Sequence, residues 1–148
     1  MLVGVAGSGK STWVRNQKWL DHAQIISSDH FIEKRAQELG QSYSQVFPEF
    51  IDTAVSLMLD QVAQAAQNNK DIVWDQTSLD APTRKKKLDL LKDYRAIAVV
   101  FFTPDEQELQ KRLSARPGKI IPASVVRDMT LRFSEPTLEE GFSEIWYT

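Results

Sequence analysis

Near its amino end the chain reads Gly4-Val5-Ala6-Gly7-Ser8-Gly9-Lys10-Ser11-Thr12, a full match to G-x-x-x-x-G-K-[ST]. Glycines at this spacing let the backbone fold into a cup whose N–H groups face a phosphate, and a helix starting near Lys10 adds its positive end. Lys10 has the reach to meet β- and γ-phosphates as a point charge. Ser11 offers a hydroxyl to Mg²⁺, which bridges those phosphates. Gly7, Ser8, Gly9, Lys10, Ser11 and Thr12 are therefore the expected contacts to a nucleoside triphosphate, taken as ATP with Mg²⁺. The loop does not say what becomes of the γ-phosphate, because ATPases, GTPases and kinases all use it.

Two carboxylates and two arginines bear on that question. Asp29 follows the run Ile25-Ile26-Ser27-Ser28, and Asp75 follows Ile72-Val73-Trp74. If both runs are parallel strands flanking the first, both acids stand at the sheet edge that carries the loop. One carboxylate there can hold Mg²⁺ or its water shell, and a second can take the proton from a hydroxyl attacking the γ-phosphate. Each also has a plainer reading, as a cap on the following helix or turn. Arg112 and Arg116 are four residues apart, hence on one helix face, and Arg116 lies just before the break Pro117-Gly118. A flap there would carry arginine onto the transferring phosphoryl group and exclude water, which favours transfer over hydrolysis. Solvated helix charges are the alternative.

The elements that must position these groups alternate along the chain. Leu2–Ala6, Gln24–Ser28, Asp71–Asp75, Ala96–Phe102 and Glu144–Thr148 are short apolar, β-branched runs of the kind a parallel sheet buries on both faces. Between them, helical spacing runs through His30–Leu39, Pro48–Asn69, Pro82–Asp93, Pro104–Arg116 and Pro122–Phe133. This order predicts a doubly wound α/β domain: three αβα layers, a five-stranded and mainly parallel sheet, and an arginine-bearing lid over about residues 111–133.

With 148 residues, 42% of them apolar, the chain suits one domain, 1–148, with a real core. The longest apolar runs, such as Ile97–Phe102, are too short to cross a bilayer, and no apolar segment follows a charged amino-terminal region. No membrane partner is expected, and a cytoplasmic location is. Without cysteine, and with only His22 and His30, disulfides, thiolate sites and multi-histidine metal sites are excluded. The net charge of −2 hides an asymmetry: residues 84–132 carry 12 bases against 6 acids, whereas residues 133–148 carry four glutamates and no base. The basic stretch is either a local anion site or a solvated helix face.

On these residues the chain resembles the polynucleotide 5′-hydroxyl kinases, P-loop kinases that comprise the phage enzymes and the kinase half of the mammalian polynucleotide kinase phosphatase. The resemblance rests on Gly4–Trp13, on Asp29, on Asp75-Gln76-Thr77-Ser78-Leu79-Asp80 through Arg84, on Lys111–Pro122 with Val126-Arg127-Asp128-Met129, and on Pro136-Thr137-Leu138-Glu139-Glu140-Gly141-Phe142. It implies ATP-dependent phosphorylation of a 5′-hydroxyl end of DNA or RNA, a step of nucleic-acid end repair, in the host cytoplasm if the chain is phage-encoded. In that scheme Lys10 and Ser11 hold the donor phosphates and Mg²⁺, and Asp29 is the general base. Asp75 orders the acceptor side, and Arg116, with Arg112, acts on the donor phosphates. Ser28 and Ile32 stand where the phage family carries arginines, one of which engages the acceptor phosphate, so Arg84, Arg35 and Lys85–Lys87 are candidate replacements. Phe31, Tyr43 and Phe47 are candidates for contact with a terminal base. Two alternatives stay open: a kinase for a small molecule (a nucleoside, sugar acid or antibiotic), and a nucleotide-dependent binding module. The oligomeric state is not legible.

Overall fold

The computed structural model describes residues 1–148. In chain order the elements are β1 (Leu2–Val3), α1 (Lys10–Asn16), β2 (Gln24–Ile26), α2 (Ser28–Leu39), α3 (Tyr43–Gln67), β3 (Ile72–Trp74), α4 (Ala81–Leu90), β4 (Ile97–Val100), α5 (Glu106–Ser114), α6 (Ala123–Arg132) and β5 (Glu144–Tyr147). Single 3₁₀ turns lie at Lys18–Leu20 and Leu138–Glu140. Every predicted strand is present and shorter than its run, β1, β2 and β5 at the carboxyl end and β3 and β4 at both ends.

All strand pairs are parallel, but the predicted five-stranded sheet is two pieces. One is β1-β4-β5, with Leu2 opposite Val99 and Val99 opposite Trp146; the other is β2-β3, with Ile25 opposite Val73. The break has a local cause. β1 is only two residues long before it turns into the glycine loop, and its one ladder is with β4. A backbone bond from the Gly4 N–H to the Thr77 carbonyl (2.9 Å) and packing of Leu2 with Val73 span the gap.

Alternating side chains build a layer on each face of the strands. Leu2, Val73, Val99 and Phe101 face α1, where Trp13 and Val14 pack against them. Val3, Ala98 and Val100 face the other way, onto Leu88 of α4 and Phe142 of the tail. On that same side Ile26 and Trp74 pack on Met58 and Val62 of α3. Helices thus cover both faces, as expected for parallel strands with apolar sequence throughout. None of the helices is long and apolar enough to cross a membrane.

The starts of α4, α5 and α6 fall within two residues of the sequence reading, whereas α2 and α3 begin earlier in ways that bear on the site. α2 begins at Ser28, which places Asp29 inside its first turn, where a carboxylate is favoured by the helix dipole. α3 begins at Tyr43 rather than Pro48. A capping box explains the longer helix: Ser42 Oγ accepts from the Gln45 N–H (3.3 Å) while the Ser42 N–H donates to Gln45 Oε1 (2.8 Å). Pro48 is then the sixth helical residue, where it forgoes one ladder bond.

Candidate active site

The loop after β1 is packed tightly under α5. Gly7 has φ +84°, and a β-carbon there would lie 2.8 Å from Leu109 Cδ1 and 3.2 Å from Leu113 Cδ2, so only glycine fits. Gly9, also left-handed, caps α1, and Lys10, Ser11 and Thr12 form the first turn of that helix. The Ser8 hydroxyl is buried in this cradle with no hydrogen-bond partner. Buried polar atoms are rarely left so, and an orphan here marks a place for an oxyanion ligand.

Lys10 is buried and folds back on its own loop, donating to the Gly4 carbonyl (2.9 Å) and the Val5 carbonyl (2.7 Å). Burial lowers its pKa from 10.5 to about 8; Asp75 and Asp29 oppose the shift, while Arg116 and Lys119 add to it. Those four groups come from β3, α2 and the α5–α6 connection, so the tertiary fold converges them on one amine. Because the folded pKa lies below the unfolded one, the unfolded state binds more protons between about 8 and 10.5. This lysine therefore makes stability rise with pH through that window.

The two acids hold different positions. The Asp75 N–H donates to the Ile26 carbonyl (2.8 Å) and so extends the β2–β3 pairing, leaving its carboxylate with no partner in the chain. Asp29 is engaged on both oxygens. Oδ1 accepts from the Tyr43 hydroxyl (2.7 Å), and Oδ2 is paired with Lys119. Burial and the bond to Asp29 push the Tyr43 phenol well above its ordinary range, which keeps it a donor. The backbone carrying Lys119 is fixed to α3: the Ser44 N–H donates to the Gly118 carbonyl (3.1 Å) and the Ile120 N–H to Ser44 Oγ (2.9 Å).

Of the two arginines, Arg112 donates to Glu108 (2.7 Å) and, at 3.4 Å, to the Gly7 carbonyl at the rim of the cradle. Arg116 has no side-chain partner and is half-buried where its charge acts on Lys10. A cavity of about 660 Å³ opens between α5, α6 and their connection, with Arg116, Lys119 and Arg127 on its wall and Leu109, Leu113 and Val126 among its apolar lining. The phosphate loop and Asp29 do not line it, so it lies beside the converging charges rather than over them.

Arg84 is not at the site, which corrects the reading of it as a substrate contact. Its side chain is fully buried. Its Nε and Nη2 meet both Glu140 oxygens at 2.7 Å, and Nη1 donates to the carbonyls of Ser78, Leu79 and Ser134. No donor is left for a ligand. Of the other candidate replacements, Arg35 pairs with Glu38, Lys85 with Asp89, and Lys87 is buried against Ser78 Oγ (2.8 Å), while Lys86 is exposed on α4. Lys119 and the anchoring role of Tyr43 were missed. The available signals were S-x-x-Q at Ser42–Gln45, whose capping Ser42 makes Tyr43 the first residue of α3, and the Pro117-Gly118 turn, which aims Lys119 back across the site.

Comparison with known proteins agrees with this architecture. The family model described as AAA domain (AAA_33) matches residues 1–136. A curated relative, the bifunctional polynucleotide phosphatase/kinase of Schizosaccharomyces pombe, is 25% identical over 98% of this chain. The chain spans about a third of that protein's length, 32%. Among solved structures, Kti12 of Chaetomium thermophilum, crystallised in complex with ADP-AlF3, superposes with a TM-score of 0.60 at 17% identity, over 99% of this chain and 86% of that one. The parallel strands, the glycine cradle and the matched family model together place the chain, as a P-loop NTPase-like α/β domain, in the AAA domain family.

Proposed function

We propose that the chain transfers the γ-phosphate of ATP to a hydroxyl, and that the hydroxyl is the 5′ end of a DNA or RNA strand. One observation carries the reading: Asp29, a carboxylate on a separate element, touches no part of the phosphate cradle yet lies near enough for its charge to act on Lys10, which is the placement a base needs to serve an acceptor rather than the nucleotide. Support for the donor comes from the orphaned Ser8 hydroxyl and from the ADP-AlF3 in the Kti12 structure. Support for the acceptor comes from the polynucleotide phosphatase/kinase relative.

In the proposed reaction Lys10 leaves the Gly4 and Val5 carbonyls for the donor phosphates. Asp29 takes the proton of the acceptor hydroxyl as its oxygen bonds to the γ-phosphorus, the bond to the bridging oxygen breaks, and ADP leaves. Arg116 faces the charge that develops on the transferred group. Ser11 and Asp75 supply free oxygen donors of the kind Mg²⁺ accepts when substrate phosphates complete its shell, and the ion there would neutralise phosphate charge. ADP release that rises on adding 5′-hydroxyl oligonucleotide, and not on adding the 5′-phosphorylated form, tests the reading; equal release with both would overturn it.

A second reading, a small-molecule acceptor, is favoured by one fact. Ile32 is fully buried among Ala36, Val46 and Ala54, and Ser28 is buried as well, so neither position presents anything to a polyanion.

Two expectations attach to the donor side. Arg116→Ala should lower kcat by about 10³-fold with a much smaller change in ATP affinity, since its charge is matched to the transition state. Equal losses in both would make it a ground-state binding residue. Bound phosphates keep Lys10 charged, whereas the free amine titrates at about 8. ADP affinity should therefore fall as pH rises through 8, by about ten-fold between pH 7 and pH 9. Calorimetric titration across that range checks it, and a flat profile would contradict the assignment.

A further inference from the structure

The two carboxylates of the site stand on neighbouring segments, Asp75 directly after β3 and Asp29 in the first turn of α2. Backbone pairing between those segments ends just short of the second acid. Its last bond runs from the Asp75 N–H to the Ile26 carbonyl (2.8 Å). Beyond Ile26 the chain turns into α2, where peptide groups point along the helix axis and no longer continue a ladder. No side-chain cap holds the start of this helix, since Ser27 makes no bond to it.

Gln76 supplies the next tie with its side chain. The Trp74 indole N–H donates to Gln76 Oε1 (2.8 Å), and Gln76 Nε2 donates to Ser28 Oγ (3.0 Å). An indole nitrogen only donates, so the amide is locked with its oxygen toward Trp74 and its nitrogen toward Ser28. Both anchors are buried. Gln76 directly follows Asp75, and Ser28 directly precedes Asp29. The bond from Gln76 to Ser28 is the single side-chain hydrogen bond between the segment after β3 and the first turn of α2; the Asp29 partners Tyr43 and Lys119 come from α3 and the α5–α6 connection. We infer that Gln76 is a positioning residue for the transfer: by tying the residue before the base to the residue after Asp75, it holds Asp29 at a fixed place relative to Asp75. The inference rests on the transfer reading above. A base shifted by about 1 Å can lose about a hundred-fold in rate, because the acceptor oxygen must meet the base and the phosphorus together. It also gives the buried Ser28 hydroxyl its use.

The test reads single-turnover transfer from γ-labelled ATP to a 5′-hydroxyl oligonucleotide in wild type, Gln76→Met and Ser28→Ala. Gln76→Met keeps the length of the side chain and removes both bonds. Ser28→Ala breaks only the bond to α2 and leaves Trp74 paired, so it serves where the first variant is unstable. Each should lower the transfer rate about ten- to a hundred-fold, with ADP affinity by calorimetry within about three-fold of wild type. The double variant should be no slower than Gln76→Met alone, since both changes cut one bond. The decisive readout is the Asp29→Asn background, where a residue that acts through the base has nothing left to position: there Ser28→Ala should cost less than about two-fold. A wild-type rate in Ser28→Ala, or the same loss with and without Asp29, would overturn the inference and leave the transfer reading standing. A wild type that labels no acceptor would overturn the transfer reading itself and this inference with it.

Discussion

Replacing Asp29 with alanine should lower phosphoryl transfer by about 10²–10⁴-fold while ADP affinity stays within about three-fold. The split follows from where the residue stands. Asp29 touches no part of the phosphate loop; its partners are Tyr43 and Lys119. Its effect on Lys10 is one of several, and Asp75, which acts more strongly in the same direction, remains. The variant should also fold, since Asp29 is in the first turn of α2 and half of its side chain faces solvent. Asp29→Asn, which keeps the shape and the Tyr43 bond but cannot take a proton, should be nearly as slow. Transfer at the wild-type rate in either variant would refute the base assignment.

Arg84→Ala should destabilise the fold by about 3–5 kcal/mol, the usual cost of leaving one member of a buried ion pair behind. The guanidinium joins the start of α4 to the β3–α4 loop, to Ser134 after α6, and to Glu140 in the tail. Removing it takes the charged partner from Glu140 and leaves the Ser78 and Ser134 carbonyls without the donor they share, although the Leu79 carbonyl keeps the Ser134 N–H (2.9 Å) and Glu140 the Thr137 N–H (3.2 Å). In thermal unfolding the midpoint should drop by roughly 10 °C or more. Arg84→Lys should not rescue, because an ammonium cannot make the paired bonds to both Glu140 oxygens. The Arg84 bonds also hold the Glu140 carboxyl below its ordinary pKa, a stabilisation present above about 4.5 and lost as the pH falls below it. The variant should therefore show a flatter acid limb than wild type. An Arg84→Ala protein with unchanged melting but impaired transfer would return the residue to the substrate side.

How far the sequence discloses this molecule can be judged at single residues. The strand runs and the glycine loop were legible because each is local: an apolar β-branched run, a turn only glycine can make, a lysine one turn on. Asp29 and Asp75 were legible because a parallel sheet sends the carboxyl ends of its strands to one edge. Arg84 was misread as a substrate contact because it opens a run of four bases, which a local reading places at the surface. Its helical spacing carries the opposite signal, since Arg84, Lys87 and Leu88 share one side of α4, and of the four bases Lys85 and Lys86 turn outward. The tail Pro136–Phe142, quoted above only as a likeness, places the Arg84 partner Glu140 and the core residue Phe142. The split of the sheet depends on β1 ending after Val3, which an apolar run through Ala6 does not show. The Lys119–Asp29 pair spans 90 residues and rests on Ser44 fixing the connection on α3, so the local turn at Pro117-Gly118 does not by itself show which acid Lys119 meets.

The most direct test of the central claim is the fate of the γ-phosphate. With γ-labelled ATP and Mg²⁺, the protein should label a 5′-hydroxyl DNA oligomer or its RNA counterpart and leave the 5′-phosphorylated oligomer unlabelled. Label released only as inorganic phosphate, at the same rate with every acceptor, would contradict the account and identify a nucleotide hydrolase.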